Sequence, residues 1–367
     1  MKITVPHCGQ MDIFINAVCR KIGPDFIIPP KTSPRTLDLG IKYSPESTCL
    51  PFKFILGNFI EALEKGADTI CMISDHGPCR VGMYDIVMQN ILREMGYQFT
   101  WITLDNARIL KSYLLTFDRE RRKRKVSLMD ALRALHFGWK KMKVCEEIER
   151  WTQKIRPYEL NRGETTRVFS EYLRLIDGVA NSRELQIARG DALLRLATIE
   201  QDRTRHPLKM VITGEGYMVI NPHANQDIER RLGEMGVEVT RTMWFTSQIS
   251  YALRLDLLKK RSKSKAIRAS KRYLPHNIGG ECNASIGYAI LYAREGYNGV
   301  IQLLPFGCIL ESVAKNILRI VSRDYDIPIL SFSLTENLSE TTIMTRLSAF
   351  VDLIQRRRKG KERCPYA

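Results

Sequence analysis

Two apolar runs, TICMIS at 69–74 and GVIQLL at 299–304, each lead within a few residues through proline and glycine to a cysteine, and then into a helical pattern. An uninterrupted apolar run of that length, bounded by turn residues, reads as a strand covered on both faces, the kind found in parallel sheets. The flanking segments carry the same rhythm. Residues 2–5 form a short apolar strand, and 52–65 bear Phe54, Ile55, Phe59, Ala62 and Leu63 at helical spacing, closed by Gly66. Residues 84–95 repeat the helical spacing up to Gly96, and 97–103 return to a strand pattern. Strand, helix, strand in this order implies parallel pairing through right-handed crossovers.

The alternation resumes near Pro207 with strands at 209–213, 237–240, 299–304 and 327–332 and helices at 228–235, 285–295, 312–321 and 345–358. Between the two alternating regions glycine and proline become scarce and leucine-rich, charged helical patterns take over, at 127–135, 143–155, 165–180 and 182–199. The expected fold is α/β, with two parallel-sheet Rossmann/flavodoxin-like lobes and a helical middle insertion. The expected division is an N-terminal α/β lobe at 1–106 carrying Cys49 and Cys79, a helical middle region at 107–206, and a C-terminal α/β lobe at 207–367 carrying Cys308. No short tandem repeat is visible, and the likeness of the two lobes to each other is left open by the sequence.

The net charge of +17 points first to nucleic acid, but much of the excess is localised at 119–125 (RERRKRK), 259–272 (KKRSKSKAIRASKR) and 356–361. Such runs also serve as solvated helix faces, or as docking surfaces for an acidic partner or a CoA-type polyphosphate. They are not interleaved with aromatic residues, so nucleic-acid binding ranks last. No stretch of about 18 uncharged apolar residues occurs, and the first residues lack the apolar core of a signal peptide, so a cytoplasmic location is expected and no membrane partner. Nine cysteines in a large chain of this kind argue against a disulfide framework. Cys19 and Cys71 lie in apolar runs and read as small buried hydrophobes.

Three other cysteines share one structural position. Cys79, in DHGPCR, follows the TICMIS strand; Cys308, in PFGC, follows GVIQLL; Cys49, in STCLP, opens the helix at 52–65. In parallel α/β sheets such loops gather at the carboxyl edge of the strands. Each sulfur faces a helix start, where backbone N–H groups and the helix dipole favour a thiolate. Thiolates are what an iron–sulfur cluster needs, and three protein ligands leave one iron of a four-iron cube open. The alternative is three helix-start cysteines with no metal; zinc is disfavoured because no CxxC or Cys/His pair has zinc-ligand spacing. Glu215, in GEG after a strand, reads equally as a proton donor or a helix cap, and His76 as a proton relay or a cap. Cys282 is a candidate fourth ligand beside the Gly279-Gly280 turn, Glu311 lies one turn beyond Cys308, Lys53 and Arg80 would balance cluster charge, and Asn225 reads as a cap. There is no P-loop and no GxGxxG after the first strand.

These segments together resemble the 2-hydroxyacyl-CoA dehydratase subunit and double-cubane cluster protein superfamily, in its activase-associated branch. The resemblance rests on STCLPFK at 47–53, GPCR at 77–80, Gly214-Glu215 with Asn225 and Ile228-Glu229, PFGC at 305–308 with Glu311, and Thr345-Arg346-Leu347 with Ala349-Phe350. It implies Cys49, Cys79 and Cys308 as ligands of a [4Fe-4S] cluster, or of half a double-cubane [8Fe-9S] type cluster, held between two lobes. It also implies a homodimer, or a heterodimer with a related subunit, and a separate activator ATPase, with its own iron–sulfur cluster, that injects a low-potential electron. Cys308-Ile309-Leu310-Glu311 departs from the family's Cys-Met-Pro-Glu, and Cys282 stands where glycine is expected.

The leading expectation is therefore an enzyme: the iron–sulfur component of an ATP-dependent low-potential reductase, or of a dehydratase (lyase) system, acting on an acyl-CoA or another small molecule, with Glu215 or His76 handling protons. A non-catalytic iron–sulfur electron carrier or scaffold subunit is the rival, and a basic nucleic-acid-binding protein the third reading.

Overall fold

The computed structural model describes residues 1–74, 77–105, 118, 122–252, 262–337 and 339–363. The chain begins β1 (Lys2–Thr4), α1 (Met11–Ile22), β2 (Asp25–Phe26), α2 (Pro34–Tyr43), α3 (Leu50–Glu64), β3 (Thr69–Ser74), α4 (Tyr84–Glu94) and β4 (Thr100–Asp105). Three helices follow, α5 (Leu128–Ile155), α6 (Glu164–Gly178) and α7 (Ser182–Ala197). Then come β5 (Leu208–Gly214), α8 (Gly216–Ile220), α9 (Ile228–Glu234), β6 (Val237–Arg241), α10 (Phe245–Ala252), α11 (Lys263–Ser270), α12 (Cys282–Arg294), β7 (Gly299–Pro305), α13 (Ile309–Asp324), β8 (Ile329–Leu334) and α14 (Glu340–Arg363).

The strands form two four-stranded sheets, ordered β2-β1-β3-β4 and β6-β5-β7-β8. Every pairing is parallel, so the expected α/β fold with two parallel-sheet lobes is the one observed. In both sheets the second strand lies outside the first, which places the switch in winding direction between β1 and β3 and between β5 and β7; ligand crevices open at such points.

The lobes match in register as well as in order. Ile3 pairs with Thr69, and Met210 with Gly299. One residue earlier, the amide of Lys2 donates to Asp68 Oδ1 at 2.7 Å and that of Lys209 donates to Asn298 Oδ1 at 2.7 Å. In both lobes the helix before the third strand carries a glycine pressed against the preceding helix. A Cβ on Gly57 would meet the carbonyl of Thr36 at 1.9 Å, and one on Gly287 the carbonyl of Ala266 at 1.8 Å. The two lobes are copies of one plan, which settles the point that the sequence left open.

One apolar cluster spans both, drawing Phe52, Phe59 and Met88 from the first lobe together with Met210, Met218 and Phe332 from the second. Phe54 stacks on Tyr217 with ring centroids 6.1 Å apart, and Asn221 Nδ2 donates to Thr32 Oγ1 at 3.0 Å. The helical region braces this arrangement. α5 is one 28-residue helix, opened by Ser127, whose hydroxyl accepts the amide of Asp130. It merges the two helical patterns read at 127–135 and 143–155, because no glycine–proline break separates them. Its Gly138 lies against Phe14 of α1, while Glu149 pairs with Arg241 at the end of β6. α5 thus contacts both lobes.

Candidate metal centre

The three cysteines occupy one local geometry. Cys49 is the N-cap of α3, Cys79 of the 3-10 turn Arg80–Met83 that leads into α4, and Cys308 of α13, each with extended backbone. The helices start there for readable reasons. Pro51 is pre-set for a first helical turn, and Gly307 at φ +79° supplies the left-handed residue that turns β7 toward α13. β3 delivers Cys79 and β7 delivers Cys308, both from strands next to their sheet's switch point. Cys49 is buried, while Cys79 and Cys308 are partly exposed.

Several observations link the three across the lobes. Tyr84 at the start of α4 lies with its hydroxyl 2.7 Å from Cys49 Sγ. Its phenol is pushed well above its usual pKa, first by burial and then by the neighbouring charge of Cys49, with Cys79 contributing further. Cys308 in turn is raised in part by Cys49. Cys79 also packs against the apolar cluster of the second lobe, the same cluster that Cys308 touches. A Cβ on Gly279 would lie 2.8 Å from Pro78 Cδ, so the Gly279-Gly280 turn closes onto the residue preceding Cys79. The backbone of that glycine turn therefore packs closely on the first lobe.

Among the described residues no three Cys, His, Asp or Glu side chains converge as the ligands of a single metal ion would. A polynuclear cluster asks for a wider set, since each thiolate binds a different iron. Three thiols as donors suit the soft, thiolate-bound iron of an iron–sulfur cluster rather than a hard cation.

The helix starts do not make these sulfurs anionic on their own, contrary to the sequence-based expectation. Burial raises the Cys49 thiol, outweighing the Tyr84 hydroxyl and the amide of Phe52. It drives Cys308 to about 12, outweighing the amide of Glu311. The desolvation of a charge in an apolar crevice exceeds what one helix terminus returns. A metal bound by these sulfurs has to displace their protons.

Glu215 follows β5 directly and fills the capping role that its sequence position offered. It caps α8 by accepting the amides of Tyr217 at 3.2 Å and Met218 at 2.9 Å. Burial still lifts its carboxyl to about 7, and its charge is felt by Cys49, Cys308 and Tyr84. Glu311, buried behind Cys308, accepts from Ser285 Oγ at 2.9 Å and Gln302 Nε2 at 2.7 Å, and burial raises it to about 7 as well. His76 lies outside the described residues, as do residues 119–121 and 259–261 of the basic runs. Cys282 is fully buried in the second lobe, where its sulfur meets the amide of Ala314, which makes it part of the α12–α13 packing. Lys53 forms a buried ion pair with Glu336 of the other lobe, and Arg80 donates to the carbonyl of Ser47. Asn225 Oδ1 accepts the amide of Ile228 at 3.3 Å, the capping role expected of it.

One residue of the site was not singled out from the sequence. Cys8 follows β1 in VPHCG, five residues beyond Ile3, as Glu215 falls five beyond Met210, so the two occupy the same position in the two copies. Glu215 raises the Cys8 thiol, which burial pushes to about 12. The signal was present, a turn between a short strand and the amphipathic pattern of α1, but the strand it closes is only three residues long.

No curated protein matches the chain at a significant level. Residues 8–243, well over half of the chain, match the family described as CoA enzyme activase uncharacterised domain (DUF2229). The match covers Cys8, Cys49, Cys79 and Glu215 and stops short of Cys308. A match that runs from the first lobe through α5 into the second leads to one conclusion: this chain belongs to the CoA enzyme activase uncharacterised domain family, consistent with the activase-associated 2-hydroxyacyl-CoA dehydratase superfamily.

Proposed function

We propose that this protein is the cluster-bearing component of an ATP-coupled, low-potential dehydratase or reductase system, with Cys49, Cys79 and Cys308 as the three protein ligands of a [4Fe-4S] or larger cluster. The observation that carries the reading is the shared position of these cysteines, each at the N-cap of a helix or 3-10 turn with extended backbone, with the Tyr84 hydroxyl on Cys49 and with Cys79 and Cys308 packed against the same apolar cluster. Bound there, the cluster would supply a one-electron reductant.

The protein's own residues do the rest. Glu215, with a carboxyl poised near 7, holds a proton on the same side as the thiols and can give or take it as an acyl-CoA thioester or another small substrate is reduced or dehydrated. His76 remains a second candidate for that role. Glu311 keeps the base of the Cys308 turn rigid through Ser285 and Gln302. The chain has no P-loop, so ATP is consumed by a separate activator. Large apolar side chains stand exposed around the two strand-end turns, with Met83 at 62%, Ile86 at 56%, Phe306 at 66% and Ile309 at 62%. Such a rim fits the docking of that activator or of a related subunit over the site.

The reading is tested by anaerobic purification and reconstitution with iron and sulfide. The expected product is brown, with iron and acid-labile sulfide in comparable amounts. Protein that stays colourless and iron-free removes the proposal.

A further inference from the structure

Tyr84 is placed unlike any other side chain at this site. It occupies the first position of α4, its ring braced edge-on by Phe52 with centroids 5.0 Å apart, and its hydroxyl lies 2.7 Å from Cys49 Sγ. The ring is buried. Two hydrogen-bonding atoms face each other at this contact. Once Cys49 is a metal-bound thiolate its sulfur has no proton to give, so only the tyrosine can donate. Cys308 has a different partner, the backbone amide of Glu311, which no side-chain substitution removes.

We infer that Tyr84 is a positioning residue that sets the reduction potential of the bound cluster through a hydrogen bond to the Cys49 sulfur; the inference rests on the cluster reading above. The physical argument is electrostatic. A donor on a ligand sulfur draws negative charge from it, and a reduced cluster carries one more negative charge than an oxidised one. The bond therefore favours the reduced form and moves the potential upward. Burial magnifies the effect, because little solvent screens the dipole. Phe52 and the α4 start hold the hydroxyl in place before any cluster is present.

The test compares wild-type protein with Tyr84→Phe, which keeps the ring and the packing on Phe52 and removes only the hydroxyl. Both are reconstituted anaerobically, assayed for iron and sulfide, and titrated electrochemically with the reduced cluster followed by electron paramagnetic resonance. Equal iron and sulfide with a midpoint at more negative potential in Tyr84→Phe is the expected result. Equal clusters with equal midpoints overturn the role of Tyr84 and leave the cluster reading standing. Wild-type protein without iron defeats the cluster reading itself, and the inference with it. Should Tyr84→Phe fail to fold, Tyr84→His, which retains a ring N–H donor, is titrated in its place. A midpoint at or slightly below the wild-type value then supports the inference, and one above it overturns the inference.

Discussion

Replacing Arg241 by methionine will remove the central cation of the brace between the helical region and the second lobe. Arg241 closes β6 with only 6% exposure, and its Nη1 donates to Glu149 at 2.8 Å and to Glu229 at 3.3 Å. Its Nε donates to the carbonyl of Met243, and its guanidinium lies 4.1 Å from the centre of the Trp244 ring. At such separations each pair is worth roughly 5 kcal/mol of gross attraction at an effective dielectric of about 20. Most of this offsets the desolvation of the three charges rather than adding to stability. The methionine variant loses the attraction while the burial cost of Glu149 and Glu229 stays, so destabilisation of about 3–5 kcal/mol is expected, a large share of the 5–15 kcal/mol typical of a folded protein. Glu149 has no slack to absorb the loss, since its Oε2 already lacks a hydrogen-bond partner. The assay is equilibrium unfolding in urea at pH 7 followed by circular dichroism. Pairing the change with Glu149→Gln should recover part of the loss, because one stranded carboxylate is then neutral. A methionine variant within about 1 kcal/mol of wild type would refute the view that this buried network holds α5 to the second lobe.

Other perturbations reach the site more directly. Gly214→Ala, at φ +134° and with a Cβ destined to lie 2.0 Å from the carbonyl of Leu303, should displace Glu215 or prevent folding, whereas Gly236→Ala, with φ +79° but open space around it, should lose only about 1 kcal/mol; thermal melts of the two variants check the contrast. Glu311 carries a folded-state pKa of about 7 against 4.5 unfolded, so its contribution to stability is full below about 4.5 and is lost as pH rises through 7. Cofactor-free wild-type protein should therefore lose up to about 3 kcal/mol from this group across that window, and urea midpoints against pH should flatten in Glu311→Gln, whose amide can serve both Ser285 and Gln302.

Much of the architecture was open to reading because its causes are local. Uninterrupted apolar runs made β3 and β7 recognisable, and Gly66, Gly96 and Gly236 marked helix ends with the positive φ that the structure confirms. β2, two residues long at Asp25–Phe26, has no periodicity to read and exists only because β1 lies beside it. The duplication of the lobes was hidden for a related reason. What the lobes share is strand register, in pairs such as Lys2 with Asp68 and Lys209 with Asn298, while Cys8 and Glu215 differ in chemistry at corresponding positions. At the site, the positions of Cys49, Cys79 and Cys308 followed from strand ends and turn residues, and Cys19 and Cys71 are the buried hydrophobes their apolar runs implied. The protonation of the thiols did not follow, because the sequence displays the helix starts but not the depth of burial that outweighs them. The commitment of Lys53 to Glu336, 283 residues away in sequence, likewise depends on how the lobes meet.

Whether three sulfurs that are distant in sequence serve one metal-filled crevice is decided by a cysteine-by-cysteine iron measurement. Cys49→Ser, Cys79→Ser, Cys308→Ser, Cys19→Ser, Cys71→Ser and Cys282→Ser would each be purified and reconstituted without oxygen, and iron, sulfide and the visible spectrum recorded alongside circular dichroism. The prediction is that each of the first three, while folded, loses the cluster and its colour, and that the last three keep both. Cluster content indifferent to Cys49, Cys79 and Cys308, or lost equally with Cys19, would contradict it.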